Sequence, residues 1–251
     1  MSSEMNTIQT TFFDVIKTQY QFKFRAHHGM FSTMIIVQLI ALLLSFSNNQ
    51  AGVGINNISV NGVAYSGDMI ILLTIAWAGI MAFKLTMKQS TNIMFTFVAN
   101  RKTNHISNIL FIISLSIIGS LSAYFLSFIF RISIYLWKSS EMLLFNEEIT
   151  LHGLLIGLVA TVLYALLFSA VAYIIGEIIQ LHRVFIVIVP TVIFGFIVMV
   201  TNFDNVEWIN QIVPFVLFET NFYLFFVKCI SISIILFFLA MFVGHRLEVR
   251  K

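Results

Sequence analysis

The sequence predicts an all-α membrane protein, with six transmembrane helices and an N-terminal amphipathic helix lying in the membrane interface. Three observations carry that prediction. Of 251 residues, 59% are hydrophobic and only 10% charged, whereas soluble domains carry about 25% charged residues. The apolar residues come in long blocks rather than amphipathic periods, and blocks of about 18 or more read as membrane spans. Basic residues collect on alternate sides of those blocks, as the retention of Lys and Arg on the cytoplasmic face requires. The alternating segments of about ten residues that mark a β-barrel do not occur. A single cysteine, Cys229, excludes an internal disulfide and sits in an apolar run, where a packed thiol is expected. No cleavable signal peptide is evident.

Residues 8–25 read as the interfacial helix. On a 100° wheel Ile8, Phe12, Phe13, Val15, Ile16, Tyr20, Phe22 and Phe24 share one broad face, into which Gln9, Gln19 and Lys23 intrude. The first span is 30–47, with Gln38 as its one strong polar group near mid-depth. A Gly/Asn-rich loop over 48–68 holds no Lys or Arg and ends in Asp68. The second span is 69–88. Between it and the third span lies the basic stretch 84–107, which carries Lys84, Lys88, Arg101 and Lys102, no acid, and a short amphipathic turn over Ile93–Val98.

The third span, within 107–137, is longer than one straight crossing needs and is expected to tilt, or to break near Arg131. Ser116, Gly119, Ser120, Ala123 and Ser127 give it a close-packing stripe. Residues 138–150 form a loop with Glu141, Glu147 and Glu148. The fourth span, 151–176, repeats Gly153, Gly157, Thr161, Ala165 and Ser169 every fourth residue, and a short polar link, Glu177–Arg183, follows. The fifth span, 184–201, contains Pro190 as an expected kink. Residues 202–221 are too short to cross and read as a surface or re-entrant segment. The sixth span is 222–244. With both ends cytoplasmic, the inner segments collect most of the Lys and Arg, and the outer ones collect Asp68, Glu141, Glu147, Glu148, Asp204, Glu207 and Glu219. The whole chain, 1–251, reads as one transmembrane domain.

The chemistry is thin. There is no phosphate-cradling G-x-x-x-x-G-K-[ST], no G-x-S-x-G and no H-E-x-x-H. The six histidines, His27, His28, His105, His152, His182 and His245, lie at helix ends or in loops and are expected to face water. Glu147 and Glu148 with His152 echo the paired glutamates of intramembrane CAAX-type proteases. The acids here sit in an outer loop, however, and that motif's basic residue and membrane histidines have no counterpart. Arg131 and Lys228 lie near the outer ends of their spans, where snorkelling accounts for them.

The order of parts resembles the permease subunits of ABC-2-type bacterial ABC transporters. These have an interfacial helix, six spans, a cytoplasmic coupling helix between spans two and three, and a re-entrant outer segment between spans five and six. Their coupling loop often ends in leucine-proline-hydrophobic-serine-arginine. The matching stretch here is Phe97-Val98-Ala99-Asn100-Arg101-Lys102, which keeps the arginine and replaces the proline and serine. The Ile/Phe-rich style is similar to exporters of amphipathic peptides. The resemblance implies a subunit that is not itself an enzyme and holds no cofactor, with ATP and Mg on a partner ABC ATPase. A second permease, identical or paralogous, completes the complex within membrane lipid, and no nucleic acid is involved. The cargo is an amphipathic peptide or a lipid-like, hydrophobic molecule. The implied coupling interface is Phe95, Phe97, Asn100, Arg101, Lys102 and Thr103, with Gln180 and Arg183 from the link. The implied substrate path passes Gln38, Trp77 and Phe194. Two rivals stay open: a membrane-embedded hydrolase using the outer acids, and a non-transporting immunity or sensor subunit.

Overall fold

The computed structural model describes residues 12–47, 51–55, 58–62, 67–87, 101–137, 150–181, 184–202 and 221–246. Seven helices are described: α1 (Phe12–Ala26), α2 (His28–Ser47), α3 (Asp68–Thr86), α4 (Arg101–Trp137), α5 (Leu151–Leu181), α6 (Phe185–Asn202) and α7 (Phe222–Arg246). Between α2 and α3 a small antiparallel hairpin pairs β1 (Ala51–Ile55) with β2 (Ile58–Gly62), Val53 opposite Val60. The Gly/Asn-rich segment is therefore not all loop, because Val and Ile between the glycines supply strand-forming positions. Five helices are long and apolar enough to cross a membrane: His28–Phe46, Asp68–Thr86, Lys102–Trp137, Leu151–Gln180 and Phe222–Gly244. The chain is thus an all-α multi-pass membrane protein, and its outer surface says the same. Leu43, Phe125, Phe238 and many like them face outward, which water would penalise and lipid does not.

Helix ends follow local chemistry. α1 passes almost directly into α2 through His27. The ring nitrogens of His27 and His28 bond Lys23 O at 3.0 Å and Arg25 O at 2.9 Å, tying both rings to carbonyls of the last turn of α1. Asp68 in the first turn of α3 sits at the positive end of its dipole. Thr150 Oγ1 accepts Gly153 N–H to cap α5, and Asn221 Oδ1 accepts Tyr223 N–H to cap α7.

α3 is the centre of the bundle. Half of its span is buried, against 22% of the α2 and α7 spans, and it packs on α2, α4 and α5. The core joins Trp77, Met81 and Leu85 of α3 to Met34 of α2, Phe111 and Leu115 of α4, Tyr173 of α5 and Phe237 of α7. Small residues set the close crossings. A Cβ on Gly79 would meet the Phe168 ring at 2.7 Å, and one on Gly157 would meet the Tyr124 hydroxyl at 2.8 Å. The whole α4 stripe, Ser116, Gly119, Ser120, Ala123 and Ser127, is buried. On α5, Thr161, Ala165 and Ser169 are buried and Gly157 is half-buried, while Gly153 is exposed above the contact.

One alternative for the third span is ruled out, and the extent of the polar link after the fourth span is corrected. α4 does not break near Arg131. It runs unbroken for 37 residues, about 55 Å at 1.5 Å per residue, well beyond a hydrocarbon layer of about 30 Å. Arg131 needs no kink, since its guanidinium reaches Asp68 at 3.4 Å on an exposed edge. The link after the fourth span is not a loop at its start: α5 continues to Leu181, which makes Glu177 and Gln180 helical. Glu and Gln are good helix formers, so nothing stops the helix at Gly176.

Candidate functional site

α4 projects its polar start, Arg101–Asn108, past the apolar band at one end of the bundle. The last turns of α3, α5 and α7 and the later part of α1, from Gln19 on, meet this end. This end holds two linked polar clusters. In the first, α1 clasps α4. Gln19 Nε2 donates to Thr103 Oγ1 at 3.2 Å, and Ser107 Oγ donates to Gln19 Oε1 at 3.2 Å. Lys23 Nζ donates to Asn104 O at 3.0 Å, to Asn104 Oδ1 at 2.8 Å and to Ser107 Oγ. Lys23 is 1% exposed, and burial pushes its amine down from 10.5 to about 7. His27 is lowered as well, first by its own burial and then by the charge of Lys23, with the bond to Lys23 O opposing.

In the second cluster, Tyr173 of α5 is fully buried and its hydroxyl is the hub. Asn108 Nδ2 donates to it at 3.2 Å, and His105 Nδ1 lies at 2.8 Å. The same hydroxyl is hydrogen-bonded to Glu177, one helical turn along α5. Glu177 Oε1 is also 3.8 Å from His105 Nδ1. Gly244 of α7 closes over both, because a side chain there would run into His105 Nε2. Beside this cluster, Gln180 Nε2 donates to Thr86 O, tying α5 to the end of α3. The arrangement joins α1, α3, α4 and α5 through polar contacts, with Gly244 of α7 packed over them.

His105 is therefore not a water-facing histidine. At 9% exposure it points into the bundle, although it lies in the second turn of α4. Helix-end position misleads here because α4 extends beyond its apolar run and its start is covered by α1 and α7. His28 and His152 are exposed as expected. His152 lines a surface concavity with Ile156, Asn221, Phe222 and Tyr223 at the opposite end. Glu147 and Glu148 lie outside the described residues.

Of the expected coupling residues, Phe95, Phe97, Asn100 and Arg183 lie outside the described residues. Arg101 opens α4 and Lys102 is exposed beside it. Thr103 is buried against α1 and Gln180 is half-buried against α3. Of the expected path residues, Gln38 and Trp77 share the α2–α3–α4 seam and Phe194 is exposed on α6. Gln38 Nε2 donates to Ser122 Oγ at 2.8 Å, with Thr74 Oγ1 and Gly119 O both at 3.5 Å. Trp77 Nε1 donates to Thr33 Oγ1 at 3.1 Å. Replacing Gln38 by Leu is expected to cost about 1 kcal/mol or less. Ser122 keeps Gly119 O and Thr74 keeps Ile70 O, so no hydroxyl is stranded. Denaturant titration in mixed micelles measures this.

Among the described residues no group of three or more His, Cys, Asp or Glu side chains could hold a metal ion. No protein-family model matches the chain, and no curated protein or solved structure matches it.

Proposed function

We propose that this chain is the permease subunit of an ABC-2-type ATP-driven exporter. It moves an amphipathic peptide or a lipid-like, hydrophobic molecule across the bacterial cytoplasmic membrane. In this reading α6 is the fifth of six spans, with Pro190 inside it, and both chain ends are cytoplasmic. The end carrying Lys23, Thr103 and Glu177 is then the inner one. A second permease lines the pathway from the other side, and ATP and Mg bind on separate ATPase subunits.

The observation that carries the reading is the seating of α1 on the first turns of α4, at Thr103, Asn104 and Ser107, where the basic stretch 84–107 runs into that helix. An ATPase that pushed on that stretch would push on the start of α4. Gln19 and Lys23 would carry the displacement to α1, and the Tyr173 hub would carry it to α5 and, by packing, to α7. Polar contacts made at one level leave little slack, so the inner ends rock as a body, which is how rigid-body switches transmit motion. Phe95 and Phe97 would supply the apolar anchors, and Asn100, Arg101, Lys102 and Arg183 the polar rim, a common anatomy for a tight contact. The chain is expected to co-elute with an ABC ATPase encoded beside it. Elution of the chain alone, with both proteins present at matched levels, would contradict the proposal.

A further inference from the structure

At the end of the bundle where α3 begins, away from the Lys23 and Tyr173 clusters, an apolar groove of 440 Å³ runs between α3 and α5. Ile71, Leu72, Ile75 and Ala76 form its α3 wall, at the i, i+1, i+4, i+5 spacing of one helix face. Tyr164 and Phe168 form the α5 wall. The crossing at Gly79 accounts for the shape. The Phe168 ring lies on Gly79 and closes the deep end, while Ala76 and Ala160 present only methyl groups and leave the space between the helices unfilled. Thr161 adds no open donor, because its hydroxyl donates to Leu158 O at 2.7 Å.

Depth and charge identify what fills this groove. From Asp68 at the mouth to Ala76, α3 rises about 12 Å at 1.5 Å per residue, close to the roughly 15 Å of hydrocarbon in one leaflet. Leu72 and Phe168 are 59% and 49% exposed, so the groove opens sideways to acyl chains. Asp68 begins the apolar span of α3, which sets it at the headgroup boundary. Arg131 stands against it at 3.4 Å, and both side chains are exposed. Among the described residues Arg131 bonds Asp68 alone, and a guanidinium has five donors. An exposed pair of this kind adds little stability by itself. Placed over an apolar groove, it is complementary to a headgroup that carries both charges. Phosphate oxygens suit the fork of Arg131, and an ammonium suits Asp68. A second apolar groove, between α4 and α5 at Phe125, Phe128 and Leu155, has no charged side chain in its lining.

We propose that the α3–α5 groove binds one zwitterionic phospholipid of the phosphatidylethanolamine type, with an acyl chain along Leu72 and Ile75, its phosphate on Arg131 and its ammonium on Asp68. The site stands on the geometry of α3 and α5 and holds whether or not the chain is a permease. A lipid seated there bridges the two helices beyond the Gly79 contact. Phosphatidylglycerol with the same chains fills the groove equally well but brings no cation, and Asp68 opposes its net negative charge. Phosphatidylethanolamine is therefore favoured by about fivefold, the effect of one partly exposed charge contact.

The test titrates the full chain in detergent micelles with phosphatidylethanolamine or phosphatidylglycerol of identical acyl chains, and native mass spectrometry counts the bound lipids. The wild type is expected to retain one phosphatidylethanolamine with that preference. Asp68→Asn removes the preference, and Arg131→Gln weakens both lipids. Leu72→Trp, which fills the groove from an exposed position, abolishes retention. Leu155→Trp, in the second groove, keeps both the retained lipid and the preference. The proposal is overturned by equal retention of the two lipids in the wild type, by an unchanged preference in Asp68→Asn, by retention in Leu72→Trp, or by its loss in Leu155→Trp. If Leu72→Trp does not fold, Ala76→Leu serves the same comparison.

Discussion

Replacing Tyr173 by Ala is expected to destabilise the bundle by about 3–5 kcal/mol, the range for deleting a buried aromatic. The ring is fully buried and packs among α3, α4 and α7, with Phe237 at 6.0 Å between centroids. Tyr173→Phe separates packing from polarity. It keeps the ring but withdraws the oxygen shared by His105, Asn108 and Glu177. Three buried polar groups then lose a partner at once, and the expected cost is about 1–3 kcal/mol. Denaturant titration of the purified protein in mixed micelles reads both. A Phe variant as stable as the wild type would show that the hydroxyl is not a hub.

Gly176→Leu is expected to cost about 1–3 kcal/mol or more through overpacking. A Cβ at Gly176 collides with the Thr86 hydroxyl and lies 3.0 Å from Thr86 Cβ and Cγ2. Thr86 has little freedom to yield, because it is β-branched and its hydroxyl donates to Phe83 O at 2.7 Å. The crossing of α3 and α5 must open, and the Gln180 bond to Thr86 O is strained with it. Gly176→Ala has a smaller effect, and adding Thr86→Ala to it returns part of the loss. Additive losses in that double-mutant cycle would show that the two residues do not share the crossing.

Much of this arrangement is visible in the chain before folding, for identifiable reasons. The long apolar blocks announce the helices, and the small-residue stripe of α4 announces where backbones approach. The wheel of α1 also holds the clue to its docking. Gln19 and Lys23 intrude on an otherwise apolar face, and these are the two side chains that α4 receives through Thr103, Asn104 and Ser107. The Tyr173 hub is harder to foresee. Tyr173 sits in an apolar run, and Glu177, just beyond it, reads as the edge of water. His105 lies 68 residues away from Tyr173, and no local pattern connects them. Only the continuation of α5 past Gly176 and the projection of α4 beyond its apolar run bring the three together. Pairing of that kind depends on tertiary register, which periodicity does not encode.

The central claim is that the basic stretch before α4 receives an ATPase and drives the clasped inner end of the bundle. It is tested most directly by purifying the chain with a candidate ABC ATPase as wild type and as Phe97→Ala/Arg101→Glu. Co-elution and ATP hydrolysis are then measured in lipid. The wild type is expected to hold the ATPase and to alter its rate. The double variant, having lost one apolar anchor and reversed one charge, is expected to bind on the order of 30-fold more weakly or worse, while keeping the wild-type denaturant midpoint. A wild-type chain that neither binds the ATPase nor changes its rate would contradict the account.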